Sequence, residues 1–357
     1  MPVRPDTVAA PASLGEIATR VDSRIATLLD AEVLRWAAVD PQLMEPLTYL
    51  RDLVGAGGKR LRPAFCHWAF VGAGGTPDDP VVVDAGAALE LLHTFALVHD
   101  DVMDGSHRRR GMDAVHTAFE ARHSTSSWAG EGRRFGEGVA ILVGDFAFVY
   151  ADMLLSGVNR QATEIFNELR LEVNVGQFLD LVGTVRRNAT PEMARTICQY
   201  KSGKYTIERP LHLGAALAGR LDELAAPLTA YGMPLGEAFQ LKDDLLGAFG
   251  DPDAIGKPVG DDFREGKPTA LYAIARGRAT GSAAALLDTR FGAADLTVGE
   301  VAAIQEVFER TGARDEVEAL IDQLVDDSLT AAAELPVAEK AQGELIALGH
   351  FIAGRTY

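Results

Sequence analysis

Apolar residues recur three and four positions apart through most of this chain, which is the rhythm of helices with one buried face. Ile17, Val21, Ile25, Leu28, Leu29, Val33 and Leu34 open the pattern. After a turn at Pro41 and a short helix comes PAFCHWAF, where Pro63 suits a first helical turn. LELLHTFALVH holds neither glycine nor proline and reads as a buried helix. Further helical runs are ILVGDFAFVYADMLLS, RQATEIFNELRLEVNVGQFLDLVG, MARTICQYKSGKYTIERPLHLGAALAG and GEAFQLKDDLLGAF. From Leu271 onward the pattern stays helical. No strand-like alternation of any length appears, nor a fixed-period repeat, nor a Rossmann or Walker glycine pattern. The pattern therefore predicts an all-α fold, one helical bundle around a central apolar cavity. Residues 1–12 read as a flexible arm and 13–357 as a single domain. The stretch 123–138 is polar and glycine-rich, and reads as a loop long enough to be a lid or a partner surface.

Composition narrows the partners. The net charge of −17, from 51 acids and 34 bases, argues against non-specific nucleic-acid binding and against a basic membrane-docking face. It leaves room for small anions at one concentrated basic site. Cys66 and Cys198 sit in apolar surroundings and read as buried thiols of a reducing compartment. The first twenty residues carry three prolines and no apolar core run, and the apolar segment around Ile141 is interrupted by Asp145 and Asp152. A cytoplasmic protein without stable membrane insertion is expected.

The chemistry concentrates in HTFALVHDDVMDGSHRRRG, His93–Gly111. Asp100 and Asp104 are four apart on a helix and face the same way. Two such carboxylates repel by roughly a few kcal/mol at an effective dielectric near 20, so a cation between them is expected. An oxygen-only donor set suits Mg²⁺, which takes its remaining ligands from water and phosphate. Arg109 and Arg110 follow at once, and a guanidinium fork matches phosphate oxygens. A second acidic set, Asp243 and Asp244 after Phe239 and Gln240, lies on a helix whose other face is Leu241, Leu245 and Phe249. A loop with Lys257, Asp261, Asp262 and Lys267 comes next. GGKRLRP puts Lys59, Arg60 and Arg62 on a tight basic corner before a helix N-terminus, an anion site by charge and dipole. Gln177 and Asp180 share one helix face, and Lys201, Ser202, Lys204 and Thr206 break an otherwise apolar helix. Any one cluster reads equally as solvated surface. Two acidic and three basic patches together need a common ligand, and a diphosphate bridged by Mg²⁺ meets both charges.

The ordered motifs resemble those of the trans-isoprenyl diphosphate synthases, or polyprenyl synthetases. The likeness rests on GGKRLRP, DDVMD at Asp100–Asp104 with RRG, GQFLD at Gly176–Asp180, Lys201 with Ser202, FQLKDD at Phe239–Asp244, and GK at Gly256–Lys257. It implies the isoprenoid synthase bundle, a homodimer, and short-chain prenyl transfer with isopentenyl and allylic diphosphates as substrates. It implies three Mg²⁺ ions with substrate bound, held by Asp100, Asp104, Asp243 and Asp244. Arg109, Lys201, Ser202, Gln240, Lys257 and Lys267 then face the allylic diphosphate, and Lys59, Arg62, His93 and Arg110 the isopentenyl diphosphate. One position departs from the family: DDxxD reads Asp243-Asp244-Leu245-Leu246-Gly247, so a water replaces the lost ligand or turnover drops. Asp251 is a further turn on. Phe95, five before the first Asp, resembles a cavity floor that stops growth, with Ala96 leaving some room. Geranylgeranyl diphosphate (C20) is expected over farnesyl (C15). A regulatory subunit of a heteromer and a terpene cyclase are the alternatives. The cyclase reading lacks its usual Asn/Ser/Glu metal set and leaves GGKRLRP idle.

Overall fold

The computed structural model describes residues 9–187, 189–250 and 259–354. The fold is all-α. Its first half runs α1 (Ala12–Ala37), α2 (Met44–Gly55), α3 (Leu61–Gly72), α4 (Pro80–Asp104), α5 (Val115–Thr125), α6 (Gly132–Leu154) and α7 (Arg160–Arg186). Then come α8 (Pro191–Cys198), a π-helix (Gln199–Glu208), α9 (Arg209–Leu217) and α10 (Leu221–Phe249). Helices Asp261–Glu265, Ala270–Arg278, Gly281–Arg290, Val298–Arg310, Ala313–Ala333 and Glu339–Ala353 complete the described chain.

Two apolar cores meet along α10. Leu224, Leu228, Tyr231 and Leu235 from its first half join the core built on α1 to α7. Ala238, Leu241, Leu245 and Ala248 from its second half join a core built on the C-terminal helices. α4 is the other central rod. Asp79 accepts the Val81 N–H at its start, Pro80 needs no partner there, and Gly105 ends it at φ +68°. Its Asp100, Asp101 and Asp104 thus crowd the last turn, where the helix dipole is already negative. Asp243 and Asp244 lie near the C-terminal end of α10 in the same way. Acids at two negative helix ends are unfavourable unless cations meet them. α4 is also long and apolar enough to cross a membrane, yet 61% of its most apolar window is buried inside the bundle.

Two expectations change. The 123–138 stretch is mostly helix: α5 runs to Thr125 and α6 starts at Gly132, leaving a short connection. Its Trp128 ring packs 5.3 Å from Phe135 and 6.1 Å from His123, an aromatic cluster that ties the two helices. A two-stranded ribbon also forms, Arg108 and Arg109 pairing with Asp113 and Met112. Arg110 (φ +52°) and Gly111 (φ +78°) make the two-residue turn, whose twist suits a tight hairpin.

Candidate active site

The ends of α4 and α10 open onto one cavity of about 670 Å³. Asp100, Asp243 and Asp244 line it, with Lys59, Arg62, His93, Arg109, Lys201, Ser202, Gln240 and Lys267. Ala96, Leu97, Val173, Ile197 and Phe239 supply its apolar wall.

Lysines stand between the acids. Lys201 Nζ lies 2.6 Å from Asp180 Oδ2 and 3.2 Å from Asp100 Oδ1, and Gln177 donates to the same Asp100 oxygen at 2.9 Å. Lys267 Nζ lies 2.6 Å from Glu265 and 3.4 Å from both Asp104 and Asp262. Burial pushes the Asp100 carboxyl up, but Lys201, Lys267 and Arg109 together hold it below its ordinary value. Asp104 is pushed up to about 6 by burial and by Asp100. Asp244 is pushed up to about 8 by burial and by Asp262, although Gln240 donates to it at 2.7 Å. Among the described residues, Lys201 and Lys267 each bridge two or more of these acids.

The basic corner is built differently. Arg60 takes a left-handed backbone (φ +48°) and is buried, bonded to Asp22 at 2.8 Å, Glu90 at 2.7 Å and the Val54 carbonyl at 2.8 Å. It is an anchor that fixes the corner, and its neighbours Lys59 and Arg62 turn to the cavity. The Arg62 guanidinium stacks 4.3 Å from the Tyr205 ring and donates to Thr206 at 2.9 Å. Its Nε is buried without a hydrogen-bond partner, as fits a donor awaiting an anion. His93 Nδ1 lies 3.1 Å from the Tyr205 hydroxyl. Burial and then Arg62, Arg110, Arg109 and Arg60 hold its pKa well below normal, so the imidazole is neutral.

The π-helix that carries Lys201 and Ser202 is wedged backbone to backbone. A Cβ at Gly176 of α7 would fall 2.2 Å from the Lys201 nitrogen, and one at Gly236 of α10 would fall 2.5 Å from the Gly203 oxygen. These contacts leave no room for side chains, which explains the glycines beside the Lys-Ser pair.

Not every expected residue reaches the cavity wall. Asp104 sits just outside it and meets it through Lys267. Arg110 lies at the basic corner, bonded to the Leu53 carbonyl at 3.2 Å. Phe95 is not among the residues lining this cavity: its ring packs 4.9 Å from Phe148 of α6 and 4.6 Å from His99, and Ala96 lines the cavity beside it. Helical geometry explains the difference between the two neighbours, because Phe95 and Ala96 point about 100° apart. Lys257 and Asp251 lie outside the described residues. Asp101, given no role above, is buried and holds the Arg109 guanidinium, with Nε at 2.9 Å. Tyr205 was also missed; an aromatic amid a polar run gave no signal.

The family implied by the motifs uses Mg²⁺. Among the described residues no three acids or imidazoles already converge at metal-binding distance. The donor set still fits, since Asp100, Asp104, Asp243 and Asp244 are all carboxylates, the oxygen ligands a hard cation takes.

This is the all-α isoprenoid synthase fold. The polyprenyl synthetase family model matches residues 40–308. A short chain isoprenyl diphosphate synthase of Methanothermobacter thermautotrophicus is 32% identical over 87% of this chain and 92% of its own. A (2E,6E)-farnesyl diphosphate synthase of Mycobacterium tuberculosis is 30% identical over 84% of this chain and 80% of its own. Among solved structures, a geranylgeranyl pyrophosphate synthase of Corynebacterium glutamicum, complexed with isoprenyl diphosphate and magnesium, superposes with a TM-score of 0.90. It is 37% identical and the match covers 95% of this chain and 99% of that one. The chain belongs to the polyprenyl synthetase family and is a prenyltransferase.

Proposed function

We propose that this chain condenses isopentenyl diphosphate with allylic diphosphates and makes geranylgeranyl diphosphate (C20). The observation that carries the reading is the shared cavity: Asp100 from α4 and Asp243 from α10 face one chamber that also holds Lys59, Arg62 and an apolar wall. The C20 product is supported by the likeness to the Corynebacterium enzyme. The farnesyl product of the Mycobacterium relative is the runner-up.

Asp100, Asp104, Asp243 and Asp244 would hold three magnesium ions together with the allylic diphosphate. Those ions, when bound, neutralise charge growing on the leaving diphosphate. Arg109, Lys201, Ser202, Gln240 and Lys267 orient that diphosphate and share its charge as the allylic C–O bond breaks. Lys257 joins this set by motif. Lys59, Arg62 and Arg110, with neutral His93, seat isopentenyl diphosphate so that its double bond attacks the allylic carbon. A proton then leaves the new C–C unit, with the departing diphosphate as acceptor. Ala96, Leu97, Val173 and Phe239 keep water from the cation.

A single catalytic domain in a cytoplasmic homodimer completes the reading. The dimer is supported by exposed apolar residues on α6 and α7: Leu142 at 56%, Val149 at 52%, Leu171 at 62% and Phe178 at 65%. Apolar exposure of this extent on two neighbouring helices suits a second copy. Incorporation of labelled isopentenyl diphosphate, with each allylic primer in turn and chromatography of the product, tests the function. No incorporation with any primer by folded protein in Mg²⁺ overturns it.

A further inference from the structure

Gly247 stands where the family's second acidic motif carries its third Asp. Glycine weakens a helix interior, and Gly247 keeps ordinary helical backbone, so no turn requires it. Space does. A Cβ at this position would fall 2.7 Å from Asp262 Oδ2 and 3.6 Å from its Cγ. The carboxylate of Asp262, fifteen residues later in the chain, lies over the helix turn where residue 247 would have projected its own.

Local bonds hold it there. The Gly260 N–H donates to the Gly247 carbonyl at 3.2 Å, which pins the returning chain to the end of α10. Gly260 adopts φ +87°, which a side chain would resist, and the helix Asp261–Glu265 starts at once. The Lys267 N–H closes that turn on the Asp262 carbonyl at 3.0 Å. The two carboxylate oxygens then divide. Oδ1 lies 3.4 Å from Lys267 Nζ, while Oδ2 lies over Gly247 on the wall that Asp243 and Asp244 share.

We propose that Asp262 supplies the carboxylate that Gly247 lacks, so that the second metal-facing set is Asp243, Asp244 and Asp262, drawn from two segments. This rests on reading the cavity as a metal–diphosphate site. The missing acid is then replaced from outside the motif, and the second set stays complete without a carboxylate at 247.

Four proteins test it: the wild type, Asp262→Asn, Gly247→Asp and the double variant, each checked for fold by circular dichroism. The probe is inorganic diphosphate, and the readout is its calorimetric binding across a Mg²⁺ titration, with turnover beside it. Asp262→Asn raises the half-saturating Mg²⁺ by about tenfold. Gly247→Asp crowds Asp262 and weakens Mg²⁺-dependent binding. The double variant, with one carboxylate again in that space, returns to within about threefold of the wild type. Unchanged half-saturation in Asp262→Asn overturns the proposal. So does a double variant as weak as Asp262→Asn, which would make Asp262 only an anchor for Lys267. A wild type that binds diphosphate without any Mg²⁺ dependence overturns both this proposal and the metal reading beneath it, whereas the first two outcomes leave that reading intact.

Discussion

Lys201 crosses from the π-helix to α4 and brings its ammonium within 3.2 Å of the Asp100 carboxylate. Burial alone would push the Lys201 pKa down, but Asp100 and Asp180 raise it, so the charge persists. A fixed cation beside Asp100, the acid proposed to face the metal, would meet charge that appears on a leaving diphosphate. Lys201→Gln should therefore lower kcat by about 10²–10³-fold, the usual cost of one transition-state donor. The KM for isopentenyl diphosphate should hold nearly constant, since the residues proposed to seat it lie at the Lys59–Arg62 corner. Steady-state kinetics in both substrates checks the split.

The acids predict an unusual pH response. Asp104 near 6 and Asp244 near 8 both stand above their ordinary 3.8. A carboxyl raised in the folded state binds protons there that the unfolded chain releases. His67, His93, His116 and His212, all held below their ordinary 6.5, work the other way below about pH 6.5, so the decline in metal-free stability is expected between about pH 6.5 and about 8, where Asp244 still holds its proton in the folded chain. Asp100, held below its ordinary value, stabilises as pH rises, but its contribution is complete by about pH 5 and adds no slope in that window. Metal-free melting should drop by roughly 2–4 °C for each kcal/mol lost, and Asp244→Asn should flatten the upper part of the decline. Mg²⁺ with inorganic diphosphate should tighten its binding over the same range, because the ligands must be deprotonated. Melting curves from pH 5 to pH 8.5, with and without the metal, measure both.

Much of this site was legible because its chemistry is local in sequence. Asp100 and Asp104 are one helical turn apart, and GGKRLRP places Lys59 and Arg62 on one corner by itself. What escaped depends on distant packing. Apolar periodicity cannot distinguish a π-helix from an α-helix over Gln199–Glu208, and the glycines of α7 and α10 that pack against this segment lie far along the chain. Phe95 was expected at the cavity floor from the family resemblance and its offset to Asp100. Which side of α4 meets α6 is settled by Phe148, far along the chain. Asp262 looked like one more loop acid until its carboxylate met Gly247 in space.

Ala96 on the wall gives the chain-length prediction a sharper form than Phe95 did. Ala96→Phe projects a ring into the cavity and should shift the main product from C20 toward C15. Phe95→Ala acts from behind the wall, by loosening the packing against Phe148, and should lengthen product only slightly. Product chromatography with a geranyl primer distinguishes them; equal profiles for the two variants would contradict the wall assignment.

The Arg62 prediction concerns binding. Its guanidinium is already oriented by Tyr205 and Thr206 while Nε lacks a partner. Arg62→Ala should raise the KM for isopentenyl diphosphate by about tenfold or more, as loss of a charged hydrogen bond of 1.5–3 kcal/mol implies. Turnover at saturating substrate should change far less. Tyr205→Phe, which keeps the stacking and removes the hydroxyl near His93, should be the milder variant.

The glycine wedge supplies the last prediction, because it separates positioning from stability. Gly176→Ala brings a methyl to 2.2 Å from the Lys201 nitrogen, so α7 or the π-helix must move. Overpacking of this kind costs about 1–3 kcal/mol. The displaced segment carries Lys201 itself, so kcat should fall by more than the loss of folded protein explains. Gly236→Ala, meeting the Gly203 oxygen at 2.5 Å, should behave alike. Gly138→Ala is the control: nothing lies within 4 Å of its added methyl, and alanine suits a helix better. It should melt slightly higher with unchanged kcat. If Gly176→Ala instead lowers the melting point while kcat per folded molecule stays at the wild-type value, the π-helix does not aim Lys201, and the wedge is packing alone.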